Sequence, residues 1–231
     1  FPHHENEIAQ SEAANGETFV NYWLHAGAVR VNKEKMSKSL GNFFTIREVL
    51  AKYPAEIVRY LLTASHYRSQ IDYAEEALVE AQSALDRLYT AMDQLSLTNN
   101  VSLAGPYLER FNAAMDDDFN TREAIAVLFD MAREVNRLKR DADTNAAQLA
   151  SQMRGLGNIL GLLEMDPQTY LKGEAGEGDL SDAAIDTLVA QRNEAKTNRD
   201  FALSDQIRDQ LKDAGVVLED SKDGVRWKRE S

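Results

Sequence analysis

Between residues 73 and 97 the apolar side chains Leu78, Ala81, Leu85, Leu88, Met92 and Leu95 recur at intervals of three and four. That spacing places them on one face of a single long amphipathic helix, which Asn99 and Asn100 end. Such a stripe must be buried against other helices, so the middle of the chain is constrained to a bundle. Two more helices follow from the same spacing. One covers 121–140 through Ile125, Leu128, Phe129, Ala132 and Val135, and the other covers 145–163.

The flanks read differently. Helix formers over 3–14 stop at Asn15-Gly16, and the apolar-aromatic run Phe19-Val20-Asn21-Tyr22-Trp23-Leu24 follows. Ala28-Val29-Arg30-Val31 alternates as a short strand does, the polar stretch 32–42 is a loop, and Thr45-Ile46-Arg47-Glu48 is a capping box that opens a helix. Pro54 starts another, with Ile57, Val58, Tyr60, Leu61 and Leu62 as its apolar face. Residues 172–179 are acidic, glycine-rich and devoid of large apolar side chains, which predicts a flexible linker. Beyond it, helices are predicted over 181–198 and 200–214. Gly215 caps the second, and Val216-Val217-Leu218 and Val225-Arg226-Trp227 flank a turn at Asp223-Gly224.

Composition excludes several classes. No apolar run approaches the roughly 20 residues of a membrane span, and the chain begins without Met or a signal-peptide pattern, so a cytoplasmic protein truncated at its front is expected. With no cysteine among 231 residues there is no disulfide, and a metal here must be held by His, Asp or Glu. A net charge of -12 argues against bulk electrostatic coating of nucleic acid, so any RNA contact is local.

The chemistry-bearing stretch is Lys35-Met36-Ser37-Lys38-Ser39: two ammonium groups three residues apart on a serine-rich loop can both reach a phosphate chain. Followed by Leu40-Gly41-Asn42, it resembles the signature loop of class I aminoacyl-tRNA synthetases. The resemblance implies an ATP-binding loop, Met36, Ser37 and Ser39 included. Within it Lys38 stabilises negative charge as an amino-acid carboxylate attacks the α-phosphate, and Lys35 supports it. ATP would enter with Mg²⁺.

The run Phe1-Pro2-His3-His4-Glu5-Asn6-Glu7-Ile8-Ala9-Gln10-Ser11-Glu12 is similar to the cysteinyl member of that class, of bacterial type. On a helix His3 and Glu7 share a face and can ligate one Zn²⁺. In the family the other two ligands are cysteine thiolates from earlier sequence. A His-Glu-x-x-His protease helix is excluded, because Ile8 stands where its second histidine is required. His4 and His25 resemble positions lining the amino-acid and adenylate pocket, and a structural role for His25 stands beside that reading.

The resemblance continues from Arg192 to Trp227, through Asp205, Arg208 and Asp220, into the family's C-terminal anticodon-binding domain. Residues 187–231 carry nine Lys/Arg and nine Asp/Glu, a balanced patch suited to selective RNA reading. Arg192, Asp205, Arg208, Asp220 and Trp227 are the candidate contacts. Asp205 and Arg208 also make sense as a helix ion pair, and Trp227 as a cap on the hairpin core.

The implied fold is mostly α with a small α/β part. Residues 1–44 end a class I nucleotide-binding catalytic domain, and 45–72 form a short helical stem-contact segment. A tRNA-binding bundle at 73–171 and a linker at 172–180 lead to a small helix-hairpin anticodon-binding domain at 181–231. The implied function is ATP-dependent ligation of L-cysteine to its tRNA by a monomer. That tRNA is met at its acceptor end, inner corner and anticodon, and an N-terminal catalytic half completes the active site. Two alternatives stand: a tRNA-binding module inactive on its own, and a related ligase joining cysteine to an amino-sugar inositol, against which the C-terminal domain argues.

Overall fold

The computed structural model describes residues 2–31, 34–35, 45–173, 179–221 and 224–229. At its centre α4 (Glu75–Met92), α5 (Pro106–Asp116), α6 (Thr121–Arg140) and α7 (Asn145–Ile159) form the expected bundle. Leu85, Leu88, Tyr89, Met92, Leu128, Met131, Val135 and Met153 are wholly buried in one apolar cluster. The predicted stripe on α4 faces inward, but the helix is shorter than its periodicity suggested. Gln94 takes a left-handed φ of 62°, and the Lys139 ammonium donates to the Asp93 carbonyl at 2.9 Å, satisfying an acceptor the helix end leaves open. Leu95 still packs on the core, from the loop. Likewise α7 stops at Ile159, because Gly161 turns the chain at φ 68° and Leu162 N–H bonds back to the Gly157 carbonyl.

Two elements escaped the periodicity. Helix α5 begins at Pro106 and buries only Phe111, too sparse a stripe to read as a helix. The six-residue α8 (Pro167–Lys172) is set by Asp166, whose carboxylate accepts from the N–H groups of Gln168 and Thr169 at 3.0 Å.

Ahead of the bundle, α2 (Ile46–Leu50) carries the reciprocal Thr45–Glu48 capping box, and α3 (Ala55–Thr63) sends Ile57 and Tyr60 into the bundle's own core. Glu56 joins them. Its carboxylate accepts from Tyr89 Oη at 2.8 Å and Leu163 N at 2.6 Å, and burial raises its pKa despite both donors. Before these helices stand α1 (His3–Asn15), none of whose residues is buried, and a three-stranded sheet. In it β1 (Val29–Val31) pairs antiparallel with β2 (Glu34–Lys35) and parallel with β3 (Ile71–Tyr73). The parallel neighbour lies some forty residues on, which local patterning could not reveal.

The C-terminal unit has its own core. Helices α9 (Asp182–Thr197) and α10 (Phe201–Asp213) pack on the hairpin β4 (Val216–Ser221) and β5 (Gly224–Arg229) through Ile185, Val189, Ile207, Leu211, Val216 and Trp227. The hairpin register pairs Leu218 with Trp227 and Ser221 with Gly224. The unit rests on the bundle through an ion pair, Arg226 to the buried Asp93 at 3.1 Å. Among the described residues, no helix is long and apolar enough to cross a membrane.

Candidate functional site

At the N-terminal end, the first turn of α1 sets the His4 ring 5.3 Å from His25 and 5.8 Å from Trp23, and Trp23 in turn meets Phe19 at 5.9 Å. Two of the predicted pocket residues, His4 and His25, are thus brought together, with Trp23 as a third member that the sequence reading left in its apolar run. Gly27 follows at once, its N–H bonded to the Tyr67 carbonyl at 2.7 Å. A Cβ on Gly27 would run into the Ser69 carbonyl and lie 2.8 Å from that of Arg68, so only glycine fits. The chain then enters β1, and the register sets Arg30 opposite Lys35, so the stretch expected to be loop from residue 32 carries strand β2 at Glu34–Lys35, held by its pairing with β1. Met36, Ser37, Lys38 and Ser39 lie outside the described residues.

His3 and Glu7 are both exposed on α1, four residues apart. They offer one imidazole and one carboxylate, donors suited to Zn²⁺, but half of a four-ligand set. Among the described residues no three metal-ligating side chains converge. Around this end Phe19, Tyr22, Trp23, Leu24 and Val29 are exposed, Tyr22 at 86%. Grouped exposed apolar side chains are characteristic of surfaces that pack against another body.

In the C-terminal unit, Arg192 and Asp220 are brought together. The two guanidinium ends donate to the two Asp220 oxygens at 3.1 Å each, and Lys196 adds bonds of 3.2 and 3.3 Å. Arg192 itself is 4% exposed. The Arg192 bonds, followed by those from Lys196, hold the Asp220 carboxyl at about 2, well below the usual carboxylate range. Such a carboxylate stabilises the fold fully above its ordinary pKa of about 3.8, and that contribution is lost as the pH falls through the interval down to about 2. Asp220→Ala is therefore expected to lower stability by about 1–3 kcal/mol at neutral pH, chiefly by stranding a buried guanidinium. The loss should shrink in acid, and denaturant melts at pH 7 and pH 3 check both.

Asp205 and Arg208 form an exposed i,i+3 pair on α10 at 3.2 Å, and Arg208 also reaches Asp209 at 3.4 Å. Trp227 points the other way, into the core, at 7% exposure. Its Nε1–H donates to Asp186 at 2.7 Å, and Lys172 and Arg229 sit over the ring at 4.6 and 5.0 Å. The indole is thus spent on the hairpin core and its bond to α9, the structural alternative the sequence had left open. The exposed aromatic of this unit is Phe201 at the start of α10, 64% exposed, which the sequence reading passed over as an ordinary helix residue.

A further cationic feature lies on the bundle. Arg110 of α5 and Arg133, Arg137 and Arg140 of α6 line, with Tyr107, an open groove of about 490 Å³. Their charges are partly matched: Asp130 pairs with Arg110 and Arg133, and Arg137 with Glu134 and Asp141. The spacing of 133, 137 and 140 on one helix face was visible in the sequence, but not that α5 would bring Arg110 to it.

A small sheet whose strand β2 ends at Lys35, a helical bundle and a separate helix-hairpin unit, in that order, are what the resemblance to class I aminoacyl-tRNA synthetases implies. Comparison with known families finds matches to three successive segments. The family described as tRNA synthetases class I (C) catalytic domain matches residues 1–83, the DALR domain matches 110–164, and the cysteinyl-tRNA ligase anticodon binding domain matches 178–227. Among curated proteins, the cysteine–tRNA ligase of Hahella chejuensis is 60% identical over 99% of this chain and 50% of its own length. Those of Thioalkalivibrio sulfidiphilus and Methylococcus capsulatus are 59% and 55% identical over 99% and 100% of the chain, again 50% of their own length. The chain belongs to the cysteinyl-tRNA synthetase family. It spans about half the length of the curated relatives it matches.

Proposed function

We propose that this chain works as part of an enzyme that ligates L-cysteine to its tRNA, first forming cysteinyl-adenylate from ATP and then transferring the cysteinyl group to the tRNA 3′ end. The observation that carries this is the path from His25 through Gly27 and β1 to β2. It runs from the His4–Trp23–His25 cluster directly into β1, beside which Lys35 is paired, and this supports reading the two as parts of one amino-acid and nucleotide pocket.

In that pocket Lys38 and Lys35 supply mobile positive charge to the phosphates of Mg²⁺-bound ATP as pyrophosphate leaves. Met36, Ser37 and Ser39 complete the nucleotide loop, and His4 and His25 border the amino acid. His3 and Glu7 would hold Zn²⁺ together with two further ligands; bound there, the ion would favour a thiol over the hydroxyl of serine by ligand softness. The exposed face from Phe19 to Val29 packs, in this reading, on the remainder of the nucleotide-binding domain.

The bundle and the C-terminal unit serve tRNA. Asp205, Arg208 and Asp220, with Lys196, are among the polar groups facing solvent there, and Phe201 offers the stacking plane that Trp227 does not. Arg192 acts by holding Asp220. The enzyme is read as a monomer in the cytoplasm.

The test is cysteine-dependent ATP–pyrophosphate exchange and tRNA charging by the full-length protein, with serine as the competing substrate. Exchange with cysteine and not serine is expected. Binding of a cysteine tRNA without exchange would instead make the chain part of a tRNA-binding module.

A further inference from the structure

The link between α5 and α6 is strained. Asp118 and Phe119, neither of them glycine, have φ values of 54° and 55°, and Phe119 leaves its ring 55% exposed. A bulky residue accepts the left-handed region only where its surroundings over-determine it. Phe119 gains no burial from the geometry, so the reason lies beside it.

The Asp118 carboxylate is what the turn presents. Arg68 Nε donates to Oδ2 at 2.6 Å and its Nη2 to Oδ1 at 3.2 Å, while Tyr67 Oη donates to Oδ1 at 2.7 Å. His66 stands 3.8 Å away and stacks on Tyr67. Thr121, the first residue of α6, adds a bond from its hydroxyl to the Ser65 carbonyl at 3.4 Å. One helix-helix turn therefore grips four successive residues, 65–68. The gripped segment in turn holds the pocket: the Tyr67 carbonyl takes the Gly27 N–H, Ser69 packs where a Gly27 side chain would be, and Ile71 N–H bonds the Ala28 carbonyl at 3.2 Å before β3 pairs along β1.

We propose that Asp118 is a positioning residue for the cysteine-activation step: seated in the bundle, it fixes the 65–69 turn and through it the backbone at Gly27 and β1 between His25 and the lysine loop. The proposal rests on the function proposed above for its kinetic consequence, but not for its structural one. Because Arg68 and Asp118 are both about half exposed, their pair adds little to global stability. Its effect is on geometry, where a displacement of about 1 Å can cost about a hundredfold in rate.

The test compares Asp118→Asn, Arg68→Ala and the double variant in the full-length protein. Amide hydrogen exchange at Gly27, Ile71 and 29–31 is expected to quicken about tenfold or more in each, with α6 and α9 unchanged. The kcat of cysteine-dependent pyrophosphate exchange should fall about ten- to a hundredfold, with tRNA affinity and melting temperature held, and the double variant no worse than the worse single. Unchanged amide protection overturns the relay. So does a loss of protection with kcat unchanged, a kcat loss that tracks the melting temperature, or single effects that multiply in the double variant. If the unmodified protein shows no cysteine-dependent exchange, the proposed function fails, and the amide measurement still decides whether Asp118 holds Gly27.

Discussion

Replacing Lys38 by alanine in the full-length protein is expected to slow adenylate formation by about 10²–10³-fold while leaving tRNA binding within about twofold. The reason is electrostatic. Charge accumulates on the phosphate oxygens as the carboxylate attacks and pyrophosphate departs, and an ammonium placed for that moment contributes more to the transition state than to ATP in the ground state. The KM for ATP should accordingly move less than the rate constant. Arginine at the same position would restore charge but not shape, because a planar guanidinium does not replace a mobile point charge on a four-carbon stem. Single-turnover formation of adenylate reads the effect directly, and an unaltered rate for Lys38→Ala would remove the phosphate role from this loop. The lysine is named by its place in Lys35-Met36-Ser37-Lys38-Ser39, and the pairing of Lys35 with Arg30 ties the start of that run to the sheet.

Phe111→Ala is expected to lower stability by about 3–5 kcal/mol, the range for deleting a fully buried phenylalanine. Phe111 is 1% exposed and is the one buried residue of α5, so its loss unseats that helix from α6 as well as leaving a void. Since α5 ends in the strained turn that bears Asp118, the damage should extend to the 65–69 segment. Chemical denaturation would show a falling midpoint with little change in slope, and Phe111→Leu should recover most of the loss. A loss below about 1 kcal/mol would mean that α5 is held by its polar contacts, the Arg110–Asp130 pair foremost.

How much of this was legible in the residues differs from one feature to the next. The stripe of α4, the bounds of α6 from Thr121 to Arg140, the Thr45–Glu48 cap and the pairing of β4 with β5 are local, because each follows from side-chain period or from groups within a few residues of one another. The lysine run was read for a different reason, as a short ordered motif with its own resemblance, and from Met36 to Ser39 it lies outside the described residues. Helix α5 was not, since one phenylalanine does not make a period. Trp227 shows the limit most plainly. Between two cations, an exposed RNA-stacking ring and a core ring look alike in sequence, and the choice turns on Asp186, Lys172 and Ile185, none of them closer than forty residues.

What the sequence by itself determined, then, is the long helices α4, α6 and α7 and the pair α9 and α10, and the family to which the run Lys35-Met36-Ser37-Lys38-Ser39 points. Only the tertiary structure decided that β3 returns beside β1, that Asp118 reaches Tyr67 and Arg68, and that Arg192 lies buried beneath Asp220. Periodicity and capping are set by interactions within a turn or two of the chain. Those contacts instead join residues roughly thirty to fifty positions apart, and their partners are chosen by how whole elements pack.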